Sequence, residues 1–176
     1  STVHPTRSLA QQAGMAYEAY QDFVYDAVLR DWESLAAEMA QLKTILDAGS
    51  EVHIEKSETD LWLSIEDRTA VNSAASVNYD SHNLPSGEVF TAPADAEGTV
   101  VFDVPMTVDA TRLRDVRLTF EDGEVVDYEA AQGEAVLKEI LETDAGAKRL
   151  GELGIGMNSG IDRVTGNILF DEKMGE

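Results

Sequence analysis

Two glutamates in this sequence stand where an acidic side chain is least expected. Glu88 follows a proline-serine-glycine turn in "NLPSGEVFTAP" and opens a short apolar run, and Glu152 lies between two leucines in "LGELGIG". An ionised carboxylate is costly to bury unless it is paired, strongly hydrogen-bonded or bound to a metal ion. Two interpretations follow. Each glutamate is a solvated acid at the end of a strand, or the two converge from distant chain positions as ligands of a hard cation.

Other catalytic chemistry has little support in the sequence. The chain contains no cysteine, which excludes thiolate nucleophiles, thiolate metal sites and disulfides, and it has no G-x-S-x-G motif. The three histidines, His4, His53 and His82, fall in a chain tail, a strand and a turn, with no serine placed locally to pair with them. The stretch "GIGMNSG" resembles a dinucleotide-binding loop only loosely, because its glycines are spaced G-x-G-x-x-x-G and no helix clearly follows.

The elements that must position these residues begin with two helices. Apolar residues recur at three- and four-residue steps through residues 17–48, with one break at Asp31. Asp31 is expected to cap the second helix, and Gly49 stands where a left-handed helix stop is expected. We interpret the apolar stripes as core contacts and the acidic faces as solvent-exposed.

Beyond Gly49 the apolar period changes to two, which is typical of strands. "EVHIEK" and "DLWLSIE" alternate as half-buried strands do, and "TVVFDVPMTV" predicts a further strand in which Pro105 indicates an edge or a bulge. "VRLTFEDGEVVDYEA" predicts a hairpin that turns at Asp122-Gly123, and "RLGELGIGMN" predicts a strand that leads into a glycine-rich loop. Helical spacing returns in "GEAVLKEILE". The predicted buried side of that helix consists of Val136, Leu137, Ile140 and Leu141.

Together these elements predict an α+β fold, with N-terminal helices followed by a mixed, largely antiparallel sheet and a further helix. At 176 residues and 43% hydrophobic content, the chain is long enough for one core of ordinary size. We therefore expect a single domain over residues 1–176, helical in 1–49 and rich in sheet in 50–176.

The charge balance is strongly acidic. There are 34 acidic and 13 basic residues, which gives a formal net charge of −21. Such a surface repels phosphate backbones and anionic lipids, so we expect neither nucleic acid nor a membrane as a partner. Dense carboxylates combined with periodic apolar residues favour a folded protein from a high-salt cytoplasm over a disordered one. The N-terminus lacks the order of a signal peptide, and no apolar run approaches about 20 residues, which predicts a soluble, cytoplasmic protein.

The blocks around both glutamates resemble a known family. "NLPSGEVFTAP", "GTVVFDVP", "FEDGEVVDYEA", "LGELGIGMNSGI" and "ILFDEKMGE" resemble, in this order, blocks of the thermophilic aminopeptidase T family of metallo-aminopeptidases. "YEAYQDFVYDAVLRDW" and "TDLWLSIEDR" resemble the segment of that family upstream of the site. The resemblance covers essentially all 176 residues.

The resemblance implies an activity and a site. The family removes N-terminal residues from peptides with a pair of divalent metal ions, for which zinc, cobalt, manganese and magnesium are candidates here. It binds the pair through two glutamates and a later group of histidine, tyrosine, histidine and aspartate. The first glutamate matches Glu88, which the turn at residues 85–87 would aim into a metal cleft, and the second matches Glu152. The resemblance also implies peptide substrates and a homodimer.

The later ligands of the family have no match in this sequence. None of the three histidines stands in the corresponding position, so neither a histidine ligand nor a catalytic residue is assigned. We expect the chain to be an interior part of a longer enzyme, without its N-terminal domain and its C-terminal metal-ligand segment, and to be inactive by itself. Two alternatives stay open. One is a non-catalytic acidic domain of the same fold that binds a peptide or another partner, and the other is a purely structural acidic domain.

Overall fold

A computed structural model of the chain describes residues 1–76 and 83–175, and its contacts divide the chain into two compact units. The helical unit comprises Ser1–Ala48, Thr69–Thr91 and Gly154–Glu176, and the sheet unit comprises Gly49–Arg68 and Ala92–Leu153. The predicted α+β class is confirmed. The sequence predicts one change, from helix to sheet, near residue 50. In the structure the units are not consecutive in the chain, because the two later segments Thr69–Thr91 and Gly154–Glu176 belong to the helical unit. That the chain forms a single domain stays a prediction.

The described elements follow in chain order. They are α1 (Arg7–Gln12), α2 (Tyr17–Val28), α3 (Trp32–Ala48), β1 (Glu51–Lys56), β2 (Thr59–Ser64), β3 (Val71–Ser73), β4 (Glu88–Thr91), β5 (Asp95–Phe102), β6 (Met106–Val108), β7 (Thr111–Glu121), β8 (Glu124–Gln132), α4 (Glu134–Leu141), β9 (Leu153–Gly156) and α5 (Ile168–Asp171).

Helices α2 and α3 lie where the sequence predicts them, and the break between them has the predicted cap. Asp31 accepts hydrogen bonds from the Ser34 N–H (3.1 Å) and the Ser34 hydroxyl (2.7 Å), which also hold the pKa of Asp31 below its ordinary value. Helix α3 ends at Ala48 as expected, but Gly49 does not have the positive φ of a left-handed stop, so that prediction is wrong. The chain enters the extended strand β1 at Glu51, and this path needs no left-handed residue.

The core of the helical unit is built on one face of α2. The buried side chains that pack together are Ala10, Tyr20, Phe23, Val24, Ala27, Ile161 and Phe170. The rings of Phe23 and Phe170 lie 5.3 Å apart between centroids, which brings α5 onto α2. Neither α1 nor α5 was expected from periodicity, because six and four residues are too short to show a helical stripe.

The sheet unit contains a six-stranded sheet with the order β1-β2-β5-β7-β6, in which β8 also pairs with β7. Its registered pairs are antiparallel, and the β7–β8 hairpin turns at Asp122 and Gly123 with φ of 50° and 74°, as predicted. The strand expected through Pro105 is instead two strands, β5 and β6, which pair with successive parts of β7.

Two of the four residues predicted on the buried side of α4 are buried in the core. Leu137 and Leu141 are buried in the core of the sheet unit and Val136 is half-buried, whereas Ile140 is 37% exposed, so its placement on the buried side is wrong. Leu137 and Leu141 stand four positions apart and so share one line along the helix, and this line is the part of α4 that the core buries.

A second sheet has the order β3-β4-β9, which makes β4 its central strand. Strands β3 and β4 are antiparallel, with Ser73 opposite Glu88 and Val71 opposite Phe90. Strand β4 begins at Glu88, where the short apolar run of the sequence begins. None of the helices in the described part of the chain combines the length and the apolar content that a membrane crossing requires.

Candidate metal-binding site

Glu88 is a buried carboxylate. Its residue is 6% exposed, and Val89 beside it is fully buried. The interpretation of Glu88 as a solvated acid at a strand end is therefore wrong. Burying an ionised carboxylate requires compensating interactions, so the groups packed around Glu88 define this site.

The turn before Glu88 is fixed on two sides. From one side, the Gly87 N–H (2.8 Å) and the Ser86 hydroxyl (2.6 Å) both donate to the Ser73 carbonyl. From the other, the Gly87 carbonyl accepts from the Met157 N–H (2.8 Å), and the Ser86 carbonyl accepts from the Asn158 side-chain amide (2.9 Å). Gly87 has a φ of +107°, and a Cβ there would lie 3.0 Å from the Asn158 Cβ, so glycine is required. The turn orients Glu88, as the sequence predicts, although its aim into a metal cleft stays a prediction.

A buried lysine provides positive charge beside Glu88. Lys173 is 1% exposed, its Nζ lies 3.6 Å from Glu88 Oε1, and it also forms an ion pair with Glu172. Lysine is almost never fully buried unless it is paired. Lys173 cannot be identified from the sequence, because a lysine in "ILFDEKMGE" has no local feature that predicts burial.

The glycines of "GIGMNSG" permit close backbone packing in the helical unit. A Cβ on Gly156 would lie 2.3 Å from the Met174 carbonyl oxygen, and one on Gly160 would lie 2.4 Å from the Asp26 carbonyl oxygen. Real Cβ atoms do not approach this closely, so both contacts need glycine. Gly154 differs, since a Cβ there would stand 3.4 Å from Glu88 Oε2, an ordinary contact. Gly154 therefore lies close to Glu88 Oε2, which is itself buried.

Asn158 connects the parts of this site. It is fully buried, and its side-chain amide donates to the Ala27 carbonyl at the end of α2 and to the Ser86 carbonyl, both at 2.9 Å. Its Oδ1 accepts from the Gly160 N–H (3.0 Å), and its backbone N–H donates to the Lys173 carbonyl (3.0 Å). Asn158 was also not identified from the sequence, where an asparagine in a glycine-rich loop indicates only a turn.

Glu152 has a different environment. It is exposed and immediately precedes β9, as a solvated acid at a strand end would be. Glu152 belongs to the sheet unit and Glu88 to the helical unit, so their convergence on one cleft stays a prediction.

Two of the three histidines lie in the described part of the chain, and neither belongs to a group of side chains there that could hold a metal ion. His53 stacks on Trp62 with 3.9 Å between ring centroids and contacts Asp60 at 2.8 Å, within the sheet unit. His4 is exposed near the N-terminus, and His82 lies outside the described residues.

The Glu88 carboxylate is a hard oxygen donor of the kind that divalent cations bind. Lys173 Nζ already lies 3.6 Å from its Oε1, so a metal ion would compete with a positive charge that is in place. Across residues 1–76 and 83–175, no three acidic or histidine side chains are grouped closely enough to hold a metal ion. A metal at Glu88 would therefore need ligands in addition to those grouped around it here.

Two comparisons relate this chain to aminopeptidases. It is 33% identical over 156 residues to aminopeptidase PepS of Streptococcus thermophilus, an alignment that covers 82% of this chain and 38% of PepS. Its fold matches the structure of wild-type AmpT from Thermus thermophilus with a TM-score of 0.79 at 28% identity, covering 90% of this chain and 43% of that one. The chain spans only 24% to 38% of the length of the curated relatives that it matches.

A third comparison concerns the fold alone. The structure of 2,5-dihydroxypyridine dioxygenase from Pseudomonas putida KT2440 matches with a TM-score of 0.66 at 17% identity, covering 98% of this chain and 55% of that chain. Fold likeness therefore does not separate these activities, and the assignment depends on sequence. The family model described as thermophilic metalloprotease (M29) matches residues 1–176, and the chain belongs to that family.

Proposed function

We propose that the protein to which this chain belongs is a metal-dependent aminopeptidase that removes N-terminal residues from peptides, with Glu88 and Glu152 as metal ligands. The observation that carries the proposal is the burial of Glu88. A carboxylate that is 6% exposed, on a turn held by four hydrogen bonds, is preorganised to bind a cation. Family membership supports the same activity.

Glu152 enters the proposal through its place in the chain. It stands two residues before Gly154, and Gly154 is the residue beside Glu88 Oε2. An exposed carboxylate immediately before β9 is ionised without a cost of burial, as a ligand of a cation must be. In this proposal Glu88 and Glu152 provide two negative charges that offset part of the charge of a metal pair.

The residues of this chain hold the Glu88 carboxylate in position. Divalent cations at such a site supply Lewis-acid activation of the scissile carbonyl and of water. Glu88 holds its place through the turn at residues 85–87, and Asn158 keeps that turn against α2. Zinc, cobalt, manganese and magnesium are all compatible with carboxylate donors, which discriminate weakly among these ions.

A second candidate is a non-catalytic acidic domain of the same fold that binds a peptide or another partner. The observation that favours it is Lys173, which already places a buried positive charge beside Glu88. The two candidates differ in whether divalent metal and peptide turnover depend on Glu88.

The experiment is a peptidase assay on two proteins, the 176-residue chain and the longer protein from the gene that encodes it. Leucyl-p-nitroanilide is supplied with zinc, cobalt, manganese or magnesium. We expect the 176-residue chain to show little turnover and the longer protein to be active. In the longer protein, Glu88→Gln and Glu152→Gln should each lower kcat/KM by about two orders of magnitude or more, because the amide keeps the shape and removes the charge.

Glu66→Gln is the matched control, since it removes the charge of an exposed glutamate in the sheet unit. It should leave turnover unchanged. Metal-dependent turnover by the 176-residue chain, or near-normal turnover by either ligand variant, would refute this assignment.

Three further properties belong to the same proposal. The acidic excess of 34 to 13 residues supports a high-salt cytoplasm as the protein's environment, because dense carboxylates hold water and cations there. The substrates are peptides, and the full-length protein forms a homodimer. Sedimentation of the full-length protein in molar KCl tests the dimer directly.

A further inference from the structure

We propose that Lys173 is the resident counter-cation of Glu88: its buried ammonium holds the carboxylate in place when no metal is bound, and it opposes the binding of a divalent cation there. The first part concerns the metal-free chain alone, and the second rests on the proposed function. Lys173 would then be a positioning residue for Glu88.

The burial of Lys173 separates it from other lysines of this chain. The side chains of Lys43, Lys56 and Lys138 pair with carboxylates at exposures of 31%, 67% and 56%, whereas the side chain of Lys173 is 1% exposed. Exposed pairs contribute little to stability, because water competes for both charges. A buried ammonium needs a carboxylate in place of water, and Lys173 has two carboxylate partners, Glu172 and Glu88.

The backbone fixes the ammonium relative to Glu88. The Lys173 N–H donates to the Phe170 carbonyl at 2.9 Å, and the Lys173 carbonyl accepts from the Asn158 N–H at 3.0 Å. The side chain of the same Asn158 holds the Ser86 carbonyl in the turn before Glu88. Cation and carboxylate are therefore both positioned by one buried residue.

The charges of the cluster predict how a metal would respond. Glu88, Glu172 and Lys173 together carry one net negative charge. A divalent cation that approached Glu88 would be repelled by an ammonium 3.6 Å from Oε1. Removing that ammonium should weaken the metal-free fold and strengthen metal binding, two effects of opposite sign that a loss of packing would not produce together.

The metal-free part is tested by a double-mutant cycle on the full 176-residue chain in chelator and molar KCl. Lys173→Met keeps the length of the side chain and removes its charge, and should lower the urea midpoint by about 1.5 M. Glu88→Gln should also lower it, and the double variant should lose clearly less than the sum. Strict additivity of the two substitutions would overturn the counter-cation assignment. If Lys173→Met does not fold, recovery of folding in the double variant establishes the same coupling.

The metal part uses manganese and zinc alone as probes, with affinity measured by competition against a chromophoric chelator. Lys173→Met should bind metal about tenfold more tightly than the unmodified chain, since a nearby like charge commonly shifts ion binding by this factor or more. Lys138→Met is the matched control, because it removes the same charge from an exposed pair with Glu142, and should leave affinity unchanged.

The outcomes separate the two proposals. Coupling in chelator together with tighter binding by Lys173→Met supports both parts. Coupling with equal or weaker binding by Lys173→Met overturns the opposing role of Lys173. If Glu88→Gln leaves metal binding unaltered, Glu88 is not a metal ligand. The double-mutant cycle without metal still tests whether Lys173 is the counter-cation of Glu88.

Discussion

Replacing Asn158 with alanine should destabilise the helical unit by about 3 kcal/mol. The substitution removes three side-chain hydrogen bonds, those to the Ala27 and Ser86 carbonyls at 2.9 Å and that from the Gly160 N–H at 3.0 Å. Each such bond contributes about 1 kcal/mol net, and the site is fully buried, so water cannot replace the lost partners freely. The same change loosens the turn before Glu88, so metal affinity should fall as well.

The assay can be confined to the helical unit. The two tryptophans of the chain lie in different units, Trp32 in α3 and Trp62 in β2. In a Trp62→Phe background, urea unfolding followed by tryptophan fluorescence therefore reports on the helical unit. A loss of about 3 kcal/mol corresponds to a midpoint shift of about 1.5 M urea for a slope of about 2 kcal/mol/M.

Asn167→Ala provides the comparison for this prediction. Asn167 is the N-cap of α5, and its side chain accepts one hydrogen bond, from the Leu169 N–H at 3.2 Å. Loss of a cap costs about 1 kcal/mol. If Asn158→Ala costs no more than Asn167→Ala, then Asn158 does not hold the turn in the way that its contacts indicate.

Three other expectations concern stability. Tyr20→Phe should leave stability equal or raise it by about 1 kcal/mol in urea unfolding, because the Tyr20 hydroxyl is buried without a hydrogen-bond partner among the described residues; a large loss would contradict this. The Lys43 side chain and then the Ala70 N–H lower the pKa of Asp47, so Asp47 stabilises the fold above its unfolded-state pKa and that stability is lost as pH falls. Asp47→Asn should therefore flatten the acid side of a plot of thermal midpoint against pH. An unchanged slope would contradict this role of Asp47. The thermal midpoint of the whole chain, with its net charge of −21, should rise as KCl increases from about 0.1 M to molar levels, and a flat or falling midpoint would count against a high-salt origin.

The parts of the fold that could be predicted are those with a local signal. The stripes of α2 and α3, the cap at Asp31 and the turn at Asp122-Gly123 each depend on residues within a few positions of one another. The apolar run that follows the Pro-Ser-Gly turn likewise lies where β4 begins, at Glu88. These features can be predicted because each forms from neighbouring residues and needs no contact with a distant part of the chain.

The parts that could not be predicted depend on long-range contacts. The burial of Glu88 is explained by Lys173 and Asn158, which lie far along the chain and have no distinctive local pattern. Strand β3 (Val71–Ser73) is too short to show an alternation of apolar and polar residues. It matters for the site because the Ser73 carbonyl accepts a hydrogen bond from the Ser86 hydroxyl in the turn before Glu88. The position of Glu152 relative to Glu88 depends on how two units are arranged, which a local pattern does not encode.

The most direct test of the metal site is an anomalous diffraction map of the full-length protein, crystallised with zinc or cobalt and recorded at the metal's absorption edge. We expect two peaks about 3.5–4 Å apart, with carboxylate oxygens of Glu88 and Glu152 at about 2.0–2.2 Å from the metal ions. Peaks that form without either carboxylate, or a Glu88 that stays paired with Lys173 while metal binds elsewhere, would contradict this expectation.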